Sequence, residues 1–271
     1  MYNQEMAKTA AENLRRVRER KPLVHNITNY VVMNYTANAL LACGAAPVMA
    51  HAMEEVEEMV SLAGALVLNI GTLSIPWIEA MVKAGKRANA LHVPVILDPV
   101  GAGATALRTD TARRLIEELS IQVIRGNASE ILSLSPERPE SRTKGVDSVH
   151  TVDQVAEMAV ALARKLKLTL AVTGVVDLIT DGEQTCRVMN GHEMMGHITG
   201  TGCTATAIIG AFLAVEPDSL RAATTGLSYF GLAGEKAATR TLAPGTYQIA
   251  LLDALYEMKE EELSTGARIQ V

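Results

Sequence analysis

Residues 200–207 read Gly200-Thr201-Gly202-Cys203-Thr204-Ala205-Thr206-Ala207, and an apolar run, Ile208 to Val215, follows at once. Two glycines among small hydroxyl residues, running into apolar sequence, describe a turn that opens a buried helix. The first backbone N–H groups of a helix have no intrahelical acceptor, and the positive end of the helix dipole adds to them, so such a turn suits a phosphate. Gly200, Thr201 and Gly202 would form that anion hole, with Cys203 in its mouth. Two readings of Cys203 stand side by side. A lone buried cysteine is commonly a small hydrophobe. At a helix N-terminus, however, a thiol's pKa falls, and the group can take a proton from a substrate hydroxyl. An anion hole with an ionisable side chain in it suggests phosphoryl transfer.

Asp98 and Glu130 are the acidic candidates, both near strand ends. Either can hold Mg²⁺ through water, because that ion keeps several waters and takes one or two carboxylates. Equally, Asp98 suits a turn before Pro99, and Glu130 suits a helix cap closing Asn127-Ala128-Ser129-Glu130. Arg125 ends an apolar strand, where a guanidinium needs a partner; an anionic substrate or Glu130 could supply it. The six histidines show no ligand spacing. In His25-Asn26-Ile27-Thr28-Asn29-Tyr30 the polar residues either bind a ligand or cap a helix from Val31 to Cys43, and capping is the simpler reading.

Other motif chemistry is disfavoured. The dinucleotide pattern GxGxxA occurs twice, at Gly200 to Ala205 and at Gly101 to Ala106, and neither copy has an acidic residue closing a second strand about twenty positions on. No Gly-Lys-Ser or Gly-Lys-Thr occurs, so there is no P-loop, and GxSxG and HExxH are likewise missing.

The elements that must position these residues alternate. Ala7 to Arg20 is an amphipathic helix. Buried strands follow at 65–70, 94–98, 122–127 and 168–174, with helices at Pro76 to Ala90, Thr109 to Leu119 and Val152 to Lys165. That order predicts an α/β fold with a mostly parallel central sheet and helices on both faces. Ligands of such sheets gather at the carboxyl ends of strands. Here those ends read Asn69-Ile70-Gly71-Thr72, Asp98-Pro99-Val100-Gly101, Arg125-Gly126-Asn127 and Thr173-Gly174. Four polar ends in succession suggest one shared site. The charged, proline-containing stretch Pro136 to Asp147 reads as a surface loop, and no linker divides the 271 residues, so residues 1–271 are expected to form a single domain.

Composition bounds the function. The hydrophobic fraction is 48%, aromatics are only 3%, and the net charge is −5 with no long basic run. Nucleic acid and anionic membranes demand clustered cations, so neither is an expected partner. Three cysteines without CxxC pairing argue against a disulfide framework or a structural zinc. With no signal-type leader and no span-length apolar window, a cytoplasmic location is expected.

The chain resembles the hydroxyethylthiazole kinases of the ribokinase-like superfamily. The resemblance lies in Pro22 to Val32, Gly44 to Ala50, Asn69 to Thr72, Leu97 to Thr105, Ile124 to Glu130, Val172 to Gly174 and Gly200 to Cys203, in family order over nearly the whole chain. It implies a ribokinase-like transferase that uses ATP and Mg²⁺ to phosphorylate the hydroxyethyl group of 4-methyl-5-(2-hydroxyethyl)thiazole, in thiamine salvage. It further implies that Asn26, Met49 and Gly200 bind the thiazole, that Arg125 and Thr173 bind ATP, and that Asp98 and Glu130 face the metal and phosphates. A homotrimer with sites between subunits is expected, the Asn26–Met49 side coming from a different subunit than the Cys203 side. Ribokinase-like enzymes usually carry Asp as base where Cys203 stands; cysteine there is a mark of the thiazole kinases, and it leaves base and mere occupant both open. Two other readings remain. A pyrimidine or pyridoxal kinase would share the fold and lack the His25–Asn29 stretch; a non-catalytic sensor would keep the pocket and release no ADP.

Overall fold

The computed structural model describes residues 2–135 and 152–271. Its frame is one nine-stranded sheet, ordered β2-β1-β3-β4-β5-β6-β7-β8-β9. In chain order the strands are β1 (Leu23–Ile27), β2 (Ala46–Val48), β3 (Ala65–Asn69), β4 (Val95–Asp98), β5 (Val123–Asn127), β6 (Thr169–Thr173), β7 (Asp177–Thr180), β8 (Thr185–Val188) and β9 (Ile269–Gln270). The strands from β2 to β6 pair in parallel, and β7, β8 and β9 are added antiparallel.

Period-two alternation decides which face each side chain takes. Val67 and Ile96 join one apolar cluster, with α1 (Gln4–Arg20), α2 (Met33–Cys43), α8 (Thr201–Leu213), α9 (Ser219–Arg240) and α10 (Pro244–Glu257). Their neighbours Leu66, Leu68, Val95 and Leu97 join the other, with α3 (Val56–Ser61), α4 (Ile75–Ala90), α5 (Ala106–Glu118), α6 (Ala128–Leu134) and α7 (Val152–Leu166). The short α11 (Glu260–Gly266) leads into β9. Both faces are covered, which is why β3 and β4 are uniformly apolar until their last residues, Asn69 and Asp98.

Every predicted strand and helix is present, with ends shifted by a few residues. Two readings change. The polar stretch from His25 is the second half of β1, and α2 begins at Met33 behind Val32, which makes no side-chain cap. Asn29 accepts instead from the Val31 N–H and the Thr72 hydroxyl, tying β1 to the β3 end. The antiparallel edge is also new: β7 and β8 are short and lie beyond the last predicted strand. The expected loop from Pro136 to Asp147 lies outside the described residues.

α8 crosses the middle of the sheet, and glycine lets it approach. A Cβ on Gly210 would stand 2.9 Å from Val67 Cγ2 and 3.4 Å from Val24 Cγ1. Gly210→Val should therefore destabilise the fold by about 1–3 kcal/mol through overpacking. Chemical denaturation would measure it, and an unchanged midpoint would show that the helix can lift from the sheet at no cost.

Candidate active site

The carboxyl ends of β3, β4, β5 and β6 meet the N-terminus of α8. The helix opens at Gly200, whose φ of 87° is left-handed, and no side chain caps it. A Cβ there would also stand 2.4 Å from Val32 Cγ1. The first-turn amides are thus left for an external acceptor. Arg125, from the middle of β5, lays its guanidinium on the bare α-carbon of Gly202, where a Cβ would come within 2.6 Å of Nη1. Its Nη2 donates to Thr173 Oγ1 at 2.5 Å. Helix dipole and guanidinium therefore point positive charge at one place.

That place opens into a cavity of about 550 Å³, lined by Arg125, Thr173, Thr201 and Gly202 and also by Asn190 to Glu193, Leu227 and Phe230. A second cavity, of about 470 Å³, lies at the opposite ends of the strands beside Asn89, Gln122 and Glu216, away from these groups.

Asp98 is fully buried and 3.9 Å from Arg125 Nη1. Its Oδ2 accepts from Asn69 Nδ2 at 2.9 Å and Thr206 Oγ1 at 2.8 Å, while Oδ1 has no partner. Burial raises the carboxyl to about 7 despite nearby Arg125, and Glu130 adds to the rise. Cys203 lies in the same cluster, beside Asn69 and Asn29. Its thiol is pushed up to about 12, by burial first and then by the charge of Asp98. The helix terminus was expected to lower it; desolvation and a carboxylate outweigh the dipole, so Cys203 is a thiol in the ligand-free protein.

Glu130 is not the partner of Arg125. It closes a capping box with Asn127, its Oε2 accepting from the Asn127 N–H at 2.8 Å, and its Oε1 accepts from the Gly101 N–H at 2.8 Å. It thereby joins the β4 and β5 turns. Arg108 does the same for β3 and β4, donating to the carbonyls of Ile70, Val100 and Gly71.

The remaining candidates lie to one side. Asn26 is buried on β1, its Nδ2 turned back to Val24 O at 2.8 Å and its Oδ1 without a partner. Met49 follows β2, where His25 Nε2 bonds the next carbonyl, that of Ala50, at 2.7 Å. Neither lines the large cavity. The stretch after β1 nonetheless reaches the α8 turn within one chain, through Asn29 at Cys203 and Val32 at Gly200. Sequence reasoning placed Asn69 at the shared strand ends without a role and missed Thr206 and Asp177 as parts of the site. Asn69 was visible as a polar strand end and Thr206 as the residue one helical turn after Cys203. Asp177 gave no signal; it lines the cavity, accepts from the Gly174 N–H at 3.0 Å, and is raised by burial to about 7.

A mostly parallel sheet with helices on both faces, its strand ends gathered at an uncapped helix N-terminus, is the architecture of the ribokinase-like α/β proteins. A ribokinase-like superfamily protein of Enterococcus faecalis V583 shares that fold, with a TM-score of 0.64 at 14% identity over 95% of each chain. The profile of the hydroxyethylthiazole kinase family matches residues 14–261. The hydroxyethylthiazole kinase of Desulfotalea psychrophila is 60% identical over 262 residues, covering 97% of this chain and 95% of its own. The solved structure of the hydroxyethylthiazole kinase protein from Pyrococcus horikoshii OT3 superposes with a TM-score of 0.89 at 47% identity, covering 96% of this chain and 98% of that one. The chain belongs to the hydroxyethylthiazole kinase family.

The carboxyl of Asp98 binds its proton more tightly when folded, its value rising from 3.8 to about 7. Its stabilising share is therefore complete below about pH 4 and is lost as pH climbs to about 7, by at most about 1.4 kcal/mol per pH unit. Asp177 contributes with the same sign. Denaturation midpoints measured from pH 4 to 8 should fall with pH, and fall less in Asp98→Asn. An equal slope in that variant would mean that Asp98 ionises normally.

Proposed function

We propose that this chain transfers the terminal phosphoryl group of ATP to the hydroxyethyl oxygen of 4-methyl-5-(2-hydroxyethyl)thiazole, returning the thiazole to thiamine synthesis. The observation that carries the reading is the guanidinium of Arg125 lying on Gly202 at the uncapped start of α8. Phosphoryl transfer passes through a loose transition state, so positioning and charge stabilisation do most of the work. Arg125, held by Thr173, and the amides of Thr201 and Gly202 supply the positive field that the donor's phosphates and the migrating group need. Asn26, Met49 and Gly200 are assigned to the thiazole.

Cys203 is assigned to the reacting end of the site. As a buried thiol it is a weak proton acceptor, and a fully effective general base contributes only about 10²–10⁴-fold. The anion hole supplies the rest. Asp98 and Glu130 suit Mg²⁺: Oδ1 of Asp98 is buried without a partner, and each Glu130 oxygen accepts one N–H and retains a second lone pair for a metal-bound water. When bound there, Mg²⁺ would neutralise phosphate charge.

Residues 1–271 are read as one kinase domain, since the described residues build a single sheet. A homotrimer with sites between subunits is supported by Tyr30, Val31 and Ile75, apolar and 57%, 71% and 67% exposed, around the end of β1. Each site would join the Asn26–Met49 side of one subunit to the Cys203 side of another. A cytoplasmic setting agrees with three free cysteines; no described helix is long and apolar enough to cross a membrane.

Coupled ADP release with Mg²⁺-ATP should appear with the thiazole alcohol and not with hydroxymethylpyrimidine or pyridoxal. Release with either of the latter would overturn the substrate, and thiazole binding without release would make the chain a sensor. Cys203→Ser should lower turnover modestly, whereas Cys203→Asp should retain or raise it; a folded, ligand-binding but inactive Cys203→Asp would rule out the base position. Arg125→Ala should raise the KM for ATP more than that for the alcohol. Sedimentation equilibrium should return three times the chain mass, and a monomer that is fully active would end the shared-site reading.

A further inference from the structure

The long wall of the cavity, Asn190 to His192, is held from behind by a charged knot that the chemistry does not use. Glu235 on α9 accepts at Oε1 from the Gly191 N–H at 2.8 Å, from Asn190 Nδ2 at 3.2 Å and from Arg268 Nη2 at 2.7 Å. Its Oε2 accepts from Arg268 Nη1 at 2.9 Å, which makes the pair bidentate. Arg268 also donates through Nη2 to the Met189 carbonyl at 2.6 Å and through its backbone to Asn190 Oδ1 at 2.7 Å. Asn190 Oδ1 takes a second bond from Ser228, and Asn190 Nδ2 donates to the Gly266 carbonyl as well. No polar atom of the buried Asn190 side chain is left over.

The wall cannot lean back, because α9 is already against it. A Cβ on Gly231 would stand 2.5 Å from the Asn190 carbonyl oxygen. On the cavity side the wall is bare. Gly191 has a φ of 143°, and a Cβ built on it meets nothing within 4 Å. Glu235 takes up the Gly191 N–H, and Asn190, Gly191 and His192 line the cavity next to Leu227 and Phe230 of α9. The bare Gly191 beside these apolar side chains suits a planar group, and the position of this stretch depends on the salt bridge between Glu235 and Arg268, the residue before β9.

We propose that Arg268, acting through Glu235, is a positioning residue for the phosphoryl donor: the Arg268–Glu235 pair sets the Asn190–His192 wall against which the donor's base lies. The inference rests on the reading of this cavity as the nucleotide site. Arg125 and Thr173 line the same cavity as the wall, whereas the Asp98 carboxylate is bonded to Asn69 and Thr206 and not to Glu235. Loss of the pair should therefore weaken the donor and leave the acceptor alcohol untouched. A guanidinium fork holding a carboxylate and a carbonyl together is not reproduced by a single ammonium, so lysine should restore only part of the effect.

The test compares Arg268→Met, which keeps the packing of the stem, with Arg268→Lys and Glu235→Gln, in steady-state kinetics and in calorimetric titration with ADP. Arg268→Met should raise the KM for ATP and the Kd for ADP about tenfold, as expected when a partner of a charged hydrogen-bonding group is removed. Arg268→Lys and Glu235→Gln should fall between it and the wild type, with kcat and the KM for the alcohol within about twofold throughout. A lower melting temperature with unchanged ADP affinity would make the pair purely structural and overturn the inference. Wild-type protein that binds no ADP would overturn the nucleotide-site reading itself. If Arg268→Met does not fold, the ordering of the two milder variants decides the question by the same readouts.

Discussion

A guanidinium and a helix N-terminus both carry positive charge, and in this protein they are pressed together. Arg125 lies on the α-carbon of Gly202, and the carboxyls that feel its charge, Asp98 at 3.9 Å and Asp177, are both raised towards neutrality by burial. Such a concentration of positive potential in a partly desolvated place is unfavourable until an anion arrives. Much of the surrounding structure serves to hold it. Thr173 fixes the guanidinium, Gly202 allows the approach, and Gly200 starts the helix without a capping side chain that would occupy the amides.

The acidic side of the site is arranged with the opposite economy. One oxygen of Asp98 is fully engaged by Asn69 and Thr206, and the other is buried and left without a donor. The same burial that raises Asp98 raises Cys203 further, because a thiolate beside a carboxylate in a poorly solvated cluster would be repelled as well as desolvated. A protonated cysteine at the end of an anion hole is consistent with chemistry that relies on charge and position more than on a strong base.

The loops that carry these groups are held to one another as much as to the sheet. Glu130 spans the β4 and β5 turns, Arg108 spans those of β3 and β4, and Glu235 with Arg268 holds the far wall of the cavity to the C-terminal strand. Glu130 and Arg108 spend their bonds on backbone groups, and Glu235 and Arg268 each hold one backbone group besides each other. The strand ends are therefore tied to one another by side chains as well as by the sheet.

Much of the fold was legible in the chain because both faces of the sheet are covered. Strands such as Ala65–Asn69 and Val95–Asp98 then have to be continuously apolar, and the polar residue that ends each run marks the ligand side. The glycine turn before Cys203 was legible for the same kind of local reason, since only glycines permit an uncapped, left-handed helix start. What the sequence by itself determined was thus the layer order, the polar strand ends and the uncapped glycine start of α8. It did not determine partnerships. That Arg125 would turn to Thr173 and Gly202 while Glu130 turned to two backbone amides depends on which strand ends the topology sets side by side. Nor could it decide the state of Cys203: a helix terminus acts over one turn and is visible locally, but desolvation and the charge of Asp98 come from residues more than a hundred positions away, and only the folded structure sets them against each other.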